Sequence, residues 1–259
     1  MFVLVALGVT GVAVAVGCGL DVTGGLAPTA DGGVASEAGE ASAADGAGVD
    51  GGNVFIDGSA PRCEDVCPDS GSCDAGWCEF RCEGKDKCEA GVTCPAGVPC
   101  LVACESNDSC DGPIDCTKAS RCDIRCAGDR SCQSVACAGT DCKVECADLD
   151  TCGDGGVTCT ASDSCTIECS GEGDRNCTQV HCRSASCDVK CEKPKACAGG
   201  VVAIATDASI KCEDNNCDAG VFCRATSCNL DCDKGACSGG SCCEAGTCTF
   251  EHEAVQTCP

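Results

Sequence analysis

The chain has no tyrosine, one tryptophan and five phenylalanines among 259 residues. Aromatic side chains supply much of the buried area of an ordinary globular core, so that kind of core is excluded. Basic residues are also scarce: 17 Lys and Arg stand against 41 Asp and Glu, for a formal charge of −24. Nucleic acids select basic surfaces and anionic lipid headgroups attract them, so neither is an expected partner. Histidine occurs twice, at His181 and His252. No two cysteines stand in C-x-C or C-x2-C spacing, which removes the usual zinc-ligand pair and the thioredoxin-like redox pair. There is no P-loop and no nucleophile elbow. The expectation is a chain that is not an enzyme and uses no metal and no cofactor.

What is abundant is cysteine, with 37 residues. That level reads as a disulfide scaffold, and so many thiols belong in an oxidising compartment outside the cytosol. The cysteines repeat. From Trp77 towards the C-terminus, eight or nine units of about 20–22 residues each carry four cysteines, here called a, b, c and d. In one unit these are Cys122, Cys126, Cys132 and Cys137; in the next, Cys142, Cys146, Cys152 and Cys159.

Cysteines a and b are four apart with a hydrophobic residue midway: Phe80, Val102, Ile124, Val144, Ile167, Val189, Ile210, Leu230 and Phe250. Residues i, i+2 and i+4 of a strand share a face, so cysteine, apolar residue and cysteine all point inward. Asp123, Arg125, Lys143, Glu145, Asp188 and Lys190 then point outward. A second short strand carries d, as in Val135-Ala-Cys137 and Val157-Thr-Cys159. A unit this short cannot fold alone, and a fixed period signals stacked copies. The expected fold is all-β: a small disulfide-rich parallel β-helix, or solenoid, of about eight rungs. Its alternative is a string of small disulfide beads.

An a–b pair on one extended strand is about 13 Å apart, too far for a disulfide. One unit discriminates among the remaining pairings. After Cys197 the d and next a positions are Ala203 and Ala208, so both cysteines are lost together. That joint loss is what a d-to-next-a disulfide predicts. The rule pairs Cys94 with Cys100, Cys116 with Cys122, Cys137 with Cys142, Cys159 with Cys165, Cys182 with Cys187 and Cys223 with Cys228. By elimination b pairs with c: Cys82 with Cys88, Cys104 with Cys110, Cys126 with Cys132, Cys146 with Cys152, Cys169 with Cys177, Cys191 with Cys197, Cys212 with Cys217 and Cys232 with Cys237. Pairing of Cys63, Cys67, Cys73, Cys78, Cys242, Cys243, Cys248 and Cys258 stays open.

The N-terminus carries a different signal. Met1 to Gly17 is apolar and ends Val14-Ala-Val-Gly-Cys18. This resembles the lipobox of bacterial lipoprotein signal peptides, with Ala15 where Leu is usual. The resemblance implies cleavage after Gly17 and lipidation of Cys18, and it leaves an even number of cysteines for pairing. Gly19, where Asp would signal inner-membrane retention, implies the outer membrane or cell surface. Residues 18–60 are mostly Gly, Ala, Ser and acidic residues with no Lys or Arg, a composition that cannot bury enough apolar area to order itself. The expected organisation is therefore a signal peptide over 1–17, an acidic lipid-anchored tether over 18–60, an N-terminal cap over 61–77, the solenoid over 78–242 and a C-terminal cap over 243–259.

Thr158-Cys159-Thr160-Ala-Ser162-Asp-Ser-Cys165 resembles the T-C-T-x-S-x-x-C repeat of beetle antifreeze proteins, which are disulfide-filled β-solenoids. The match covers one rung, so it implies architecture rather than ice binding. Calcium at the acidic turn Gly171-Glu-Gly-Asp174 is a further minor reading. The expected function is structural or adhesive, through an envelope protein or glycan partner. A secreted ligand-binding or enzymatic module is the alternative, with Leu101 and Phe222 as the exposed apolar residues that could mark its surface.

Overall fold

The computed structural model describes residues 60–251, apart from 85–86, 172–175, 214–215, 234 and the side chain of Ala245. All of these lie in one compact unit, Asn53–Pro259. The expected signal peptide and nearly all of the tether, Cys18 included, fall outside the described residues, as do His252, Cys258 and Glu172 to Asp174.

The unit is a β-solenoid of about eight turns. It begins with a short helix, α1 (Cys63–Val66), and a hairpin in which β1 (Ser72–Asp74) pairs antiparallel with β2 (Trp77–Arg81). Early rungs contain separate strands: β3 (Val92–Thr93) and β4 (Cys100–Cys104), then β5 (Ile114–Cys116) and β6 (Arg121–Cys126). Later rungs fuse the d, a and b segments into one long bent strand: β7 (Ser134–Cys146), β8 (Gly156–Cys169), β9 (Val180–Cys191), β10 (Val201–Cys212), β11 (Val221–Cys232) and β12 (Ser241–Glu251). From β2 onward neighbours are parallel, in the order β2-β4-β6-β7-β8-β9-β10-β11-β12, with β3 beside β5 and β5 beside β7.

Register stacks like on like. Phe80, Val102, Ile124, Val144, Ile167, Val189, Ile210, Leu230 and Phe250 follow one another as cross-rung partners. Val92, Ile114, Val135, Val157, Val180, Val201 and Val221 form a second column. Apart from the end residue Phe250, which is half-buried, both columns are buried, and the cysteines fill the space between them. Ala203 and Ala208 sit in the d and a columns, facing Cys182 and Cys187 on one side and Cys223 and Cys228 on the other. Ala203→Cys together with Ala208→Cys should therefore close a further d-to-a disulfide and add about 2 kcal/mol of stability. Intact mass and the denaturant midpoint check this; two thiols that stay free would contradict it.

The b-to-c turn has a feature that residue types do not announce. Cys88, Cys110, Cys132, Cys152, Cys177, Cys197, Cys217 and Cys237 all adopt positive φ, between 43° and 56°. A non-glycine residue there costs about 1–2 kcal/mol. The disulfide to b holds the turn in this shape, helped by a buried polar residue just before c in several rungs. The Ser109 hydroxyl donates to the Ser106 carbonyl at 2.5 Å. The Ser131 hydroxyl accepts from the Gly128 N–H at 3.3 Å. The Thr151 N–H donates to Asn176 Oδ1 of the next rung at 3.0 Å. If c is strained, Cys126→Ala/Cys132→Gly should be more stable than Cys126→Ala/Cys132→Ala by about 1 kcal/mol. Equal denaturant midpoints for the two variants would show that the turn carries no such strain.

The ends depart from expectation. Cys63 to Cys67 has the a–b spacing of four, yet it forms α1 and the following turn, tied by Cys63–Cys73 and Cys67–Cys78. At the other end, regular register continues past residue 242: β12 pairs with β11 from Ser241 to Glu251, placing Cys243 beside Cys223, Cys248 beside Cys228 and Phe250 beside Leu230. Cys243–Cys248 is an ordinary d-to-a disulfide. The expected start of a C-terminal cap at 243 is corrected accordingly, because Cys243 rather than Cys242 lies five residues before the next a position.

Candidate functional site

The sulfur lattice is the chemistry that this fold organises. Thirteen of the fourteen pairs expected from spacing are disulfides. The d-to-a bonds are Cys94–Cys100, Cys137–Cys142, Cys159–Cys165, Cys182–Cys187 and Cys223–Cys228. The b-to-c bonds are Cys82–Cys88, Cys104–Cys110, Cys126–Cys132, Cys146–Cys152, Cys169–Cys177, Cys191–Cys197, Cys212–Cys217 and Cys232–Cys237. Each closes a turn within the winding of the chain, five to eight residues long, so rungs are joined by hydrogen bonds and packing rather than by sulfur. Cys242 is also disulfide-bonded.

The fourteenth pair is open. Cys116 and Cys122 are buried thiols. Their sulfurs are not bonded to each other; with Cys94 Sγ they form a cluster in which all three sulfurs lie within 4.8 Å of one another. Cys116 Sγ lies 2.7 Å from Cys94 Sγ of the preceding rung. Cys122 Sγ lies 3.4 Å from the Cys116 carbonyl and 3.9 Å from the Ala138 carbonyl of the following rung. Hydrogen bonding with the Cys122 thiol, and then burial, push the Cys116 thiol well above its ordinary value. Next to it, Asp115 accepts from the Thr117 hydroxyl at 2.6 Å and the Thr117 N–H at 2.9 Å, and these bonds hold its carboxyl below the ordinary aspartate value. Disulfide sulfur offers no thiolate, so among the described cysteines these two are the ones that could ligate a soft metal. Two thiols fall short of the four ligands of a structural zinc site.

Outside the lattice, the surface is polar and carries charges of both signs with acidic residues in excess. Asp123 faces Lys143 and Arg125 faces Glu145 across one rung boundary. Glu168 faces Lys190, and Lys211 faces Asp231. Ion pairs join Arg121 to Asp141 at 3.3 Å and Arg130 to Asp108 at 2.8 Å, and the Arg224 Nε donates to Glu244 at 2.7 Å. Such cross-strand pairs are worth a few tenths of a kcal/mol to about 1 kcal/mol each. The outward column does not alternate strictly, since Glu145 faces Glu168, Lys190 faces Lys211 and Asp231 faces Glu251, so opposite and like pairs are mixed along it.

His181 is exposed on β9, with Thr158 and Val202 as its cross-rung partners. Neither neighbour is an acid that could orient the imidazole. Thr158 faces Ala136 and His181, and Thr160 faces Ala138 and Arg183. The threonines thus do not repeat along the face as an ice-binding array requires. Leu101 and Phe222, expected to be exposed, are half-buried; among the described residues the exposed large apolar ones are Leu149 and Ile204. Neither was legible beforehand, since a single leucine in a turn or a single isoleucine on a strand carries no signal of its own.

One concavity lies over the last three rungs. Stacked Gly199-Gly200, Ala219-Gly220 and Gly239-Gly240 form the floor of a groove of about 310 Å³, with Val202 and Phe222 on its wall. Gly200, Gly220 and Gly240 have φ of 90–98°, and a Cβ on Gly220 would sit 2.5 Å from the Gly240 carbonyl oxygen. The close approach of the turns therefore requires glycine, and the groove follows from it. The Arg224 guanidinium lies over the Phe222 ring at 5.7 Å.

Compared with protein-family models, curated protein sequences and solved structures, the chain matches none.

Proposed function

We propose that this exported chain is held by a lipid on Cys18 at the outer membrane or cell surface, where the solenoid serves as a rigid, non-enzymatic surface for an envelope protein or glycan. Disulfides at this density place the folded unit outside a reducing cytosol. The lipobox-like Val14 to Cys18 and the acidic stretch that follows support an anchor with reach. The observation that carries the interaction role is the division of the fold into two zones. Apolar columns and sulfur occupy the inside, whereas the outward columns carry polar and charged side chains of both signs in fixed register. Such a surface suits recognition through many regularly spaced polar contacts.

A secreted ligand-binding module is the second reading, favoured by the glycine-floored groove beside Phe222. Two measurements decide between them. Cell fractionation should find the full chain with membranes and Cys18→Ser released from them; a full chain that is itself released rejects the anchor. Binding of the purified chain to glycan arrays and to named envelope proteins should disappear on reduction and alkylation and survive Phe222→Ala. Binding that Phe222→Ala abolishes would favour the groove instead.

A further inference from the structure

We propose that Cys116 and Cys122 form a thiol–disulfide exchange site with the Cys94–Cys100 disulfide, so that two neighbouring rungs can be joined by a Cys94–Cys116 bond. In the other rungs, d and next a are either both oxidised or, at Ala203 and Ala208, both absent. Here alone among the described rungs do thiols sit in a column of disulfide sulfur.

Three observations carry the proposal. First, the attacking and attacked atoms are in contact, with Cys116 Sγ 2.7 Å from Cys94 Sγ. Second, the backbone holds them there: Thr93 and Asp115 are cross-rung partners, and the Cys94 N–H donates to the Asp115 carbonyl at 2.8 Å. Third, the leaving sulfur has a place beside another thiol, because Cys100 and Cys122 are themselves cross-rung partners. All four cysteines are at most 3% exposed, so an external thiol has no path to them and the reaction is internal.

The step balances without an oxidant. Cys116 gives up its proton, and its sulfur forms a bond to Cys94 Sγ. The Cys94–Cys100 bond breaks, and Cys100 departs as thiolate and takes up the proton. One disulfide is lost and one is gained, and the two thiols of the site become Cys100 and Cys122. The change in connectivity is larger than the change in atoms: a bond closing one turn becomes a bond between rungs. The thiolate is the attacking species. Because the Cys116 thiol is held high, exchange near neutrality should be slow and should accelerate about tenfold per pH unit.

The test uses the full chain, unreduced, alkylated under denaturing acid-quench conditions and cleaved at acidic residues. Cys94 and Cys100 lie together between Glu89 and Glu105, and Cys116 and Cys122 lie together between Asp115 and Asp123. Exchange is expected to join these two fragments through Cys94 and Cys116, with the alkyl group on Cys100. The joined fraction should grow faster at about pH 9 than at about pH 7. Cys122→Ser, which leaves a single thiol at Cys116, should give the same joined fragments. The proposal is overturned if the fragments stay separate, whether because Cys116 and Cys122 are both alkylated in full or because they are bonded to each other. A junction through Cys100 in place of Cys94 also overturns it.

Discussion

Full reduction without denaturant should unfold the solenoid, with loss of its far-UV strand signal and of protease resistance, whereas the same incubation without reductant leaves both intact. Closing a turn of five to eight residues restricts the unfolded chain by about 2 kcal/mol. Among the described residues fourteen such bonds have both partners placed, besides two in the N-terminal cap that span 10 and 11 residues. Their sum, on the order of 30 kcal/mol, exceeds the roughly 5–15 kcal/mol net stability of an ordinary domain. The interior offers little to offset the loss, since it consists of two single-residue apolar columns flanked by cysteine. Reduction also removes the bond that holds each c cysteine at positive φ, so the turn strain is then released by unfolding. A circular dichroism spectrum that keeps its strand signal after every thiol has been counted would show that rung stacking alone suffices.

How much of this was written in the sequence depends on what each residue type constrains. The a–x–apolar–x–b spacing determines which side chains face inward, because a strand alternates faces and no other placement buries the cysteines and the aliphatic residue together. The joint appearance of Ala203 and Ala208 identifies the d-to-a bond for the same physical reason: a lone partner would be left as a buried thiol. The same spacing fails at Cys63 to Cys67. Four residues also make one turn of helix, and before the first rung there is no strand on which to pair, so the local helix forms. The positive φ of c was invisible because cysteine has no preference for that region; the closed turn imposes the geometry, helped in five rungs by a buried Ser, Thr or Asn just before c. The open Cys116 and Cys122 were invisible for a different reason. Spacing brings two cysteines to one turn, whereas the side-chain rotamers decide whether the sulfurs bond across it or stay as thiols, here with Cys116 Sγ against Cys94 Sγ of the preceding rung. As for the candidate surface, sequence alternation was enough to say which charges point out, but their pairing across rungs needed the register.

Ile167→Ala should cost about 3 kcal/mol with all disulfides intact, the largest effect expected of a single aliphatic truncation in the described solenoid. Ile167 is fully buried and stacked between Val144 and Val189. On its own strand it is flanked by Cys165 and Cys169, both committed to turn-closing bonds, so the backbone cannot collapse into the space that the missing carbons leave. The lost transfer energy and the unfilled cavity therefore add. Because a rung touches mainly the rungs on either side, the damage should uncouple the rungs before Ile167 from those after it rather than loosen the whole unit evenly. Guanidinium unfolding followed by hydrogen exchange reads both consequences: a lower midpoint, and lost amide protection concentrated in β7, β8 and β9. Ile167→Val should cost about 1 kcal/mol, and the exposed Asp163→Ala less than about 0.5 kcal/mol. An Ile167→Ala midpoint equal to that of Asp163→Ala would mean that the sulfur lattice, and not the aliphatic column, holds neighbouring rungs together. Since the disulfides close turns within the winding and do not join successive rungs, the column is where that cohesion is expected to reside.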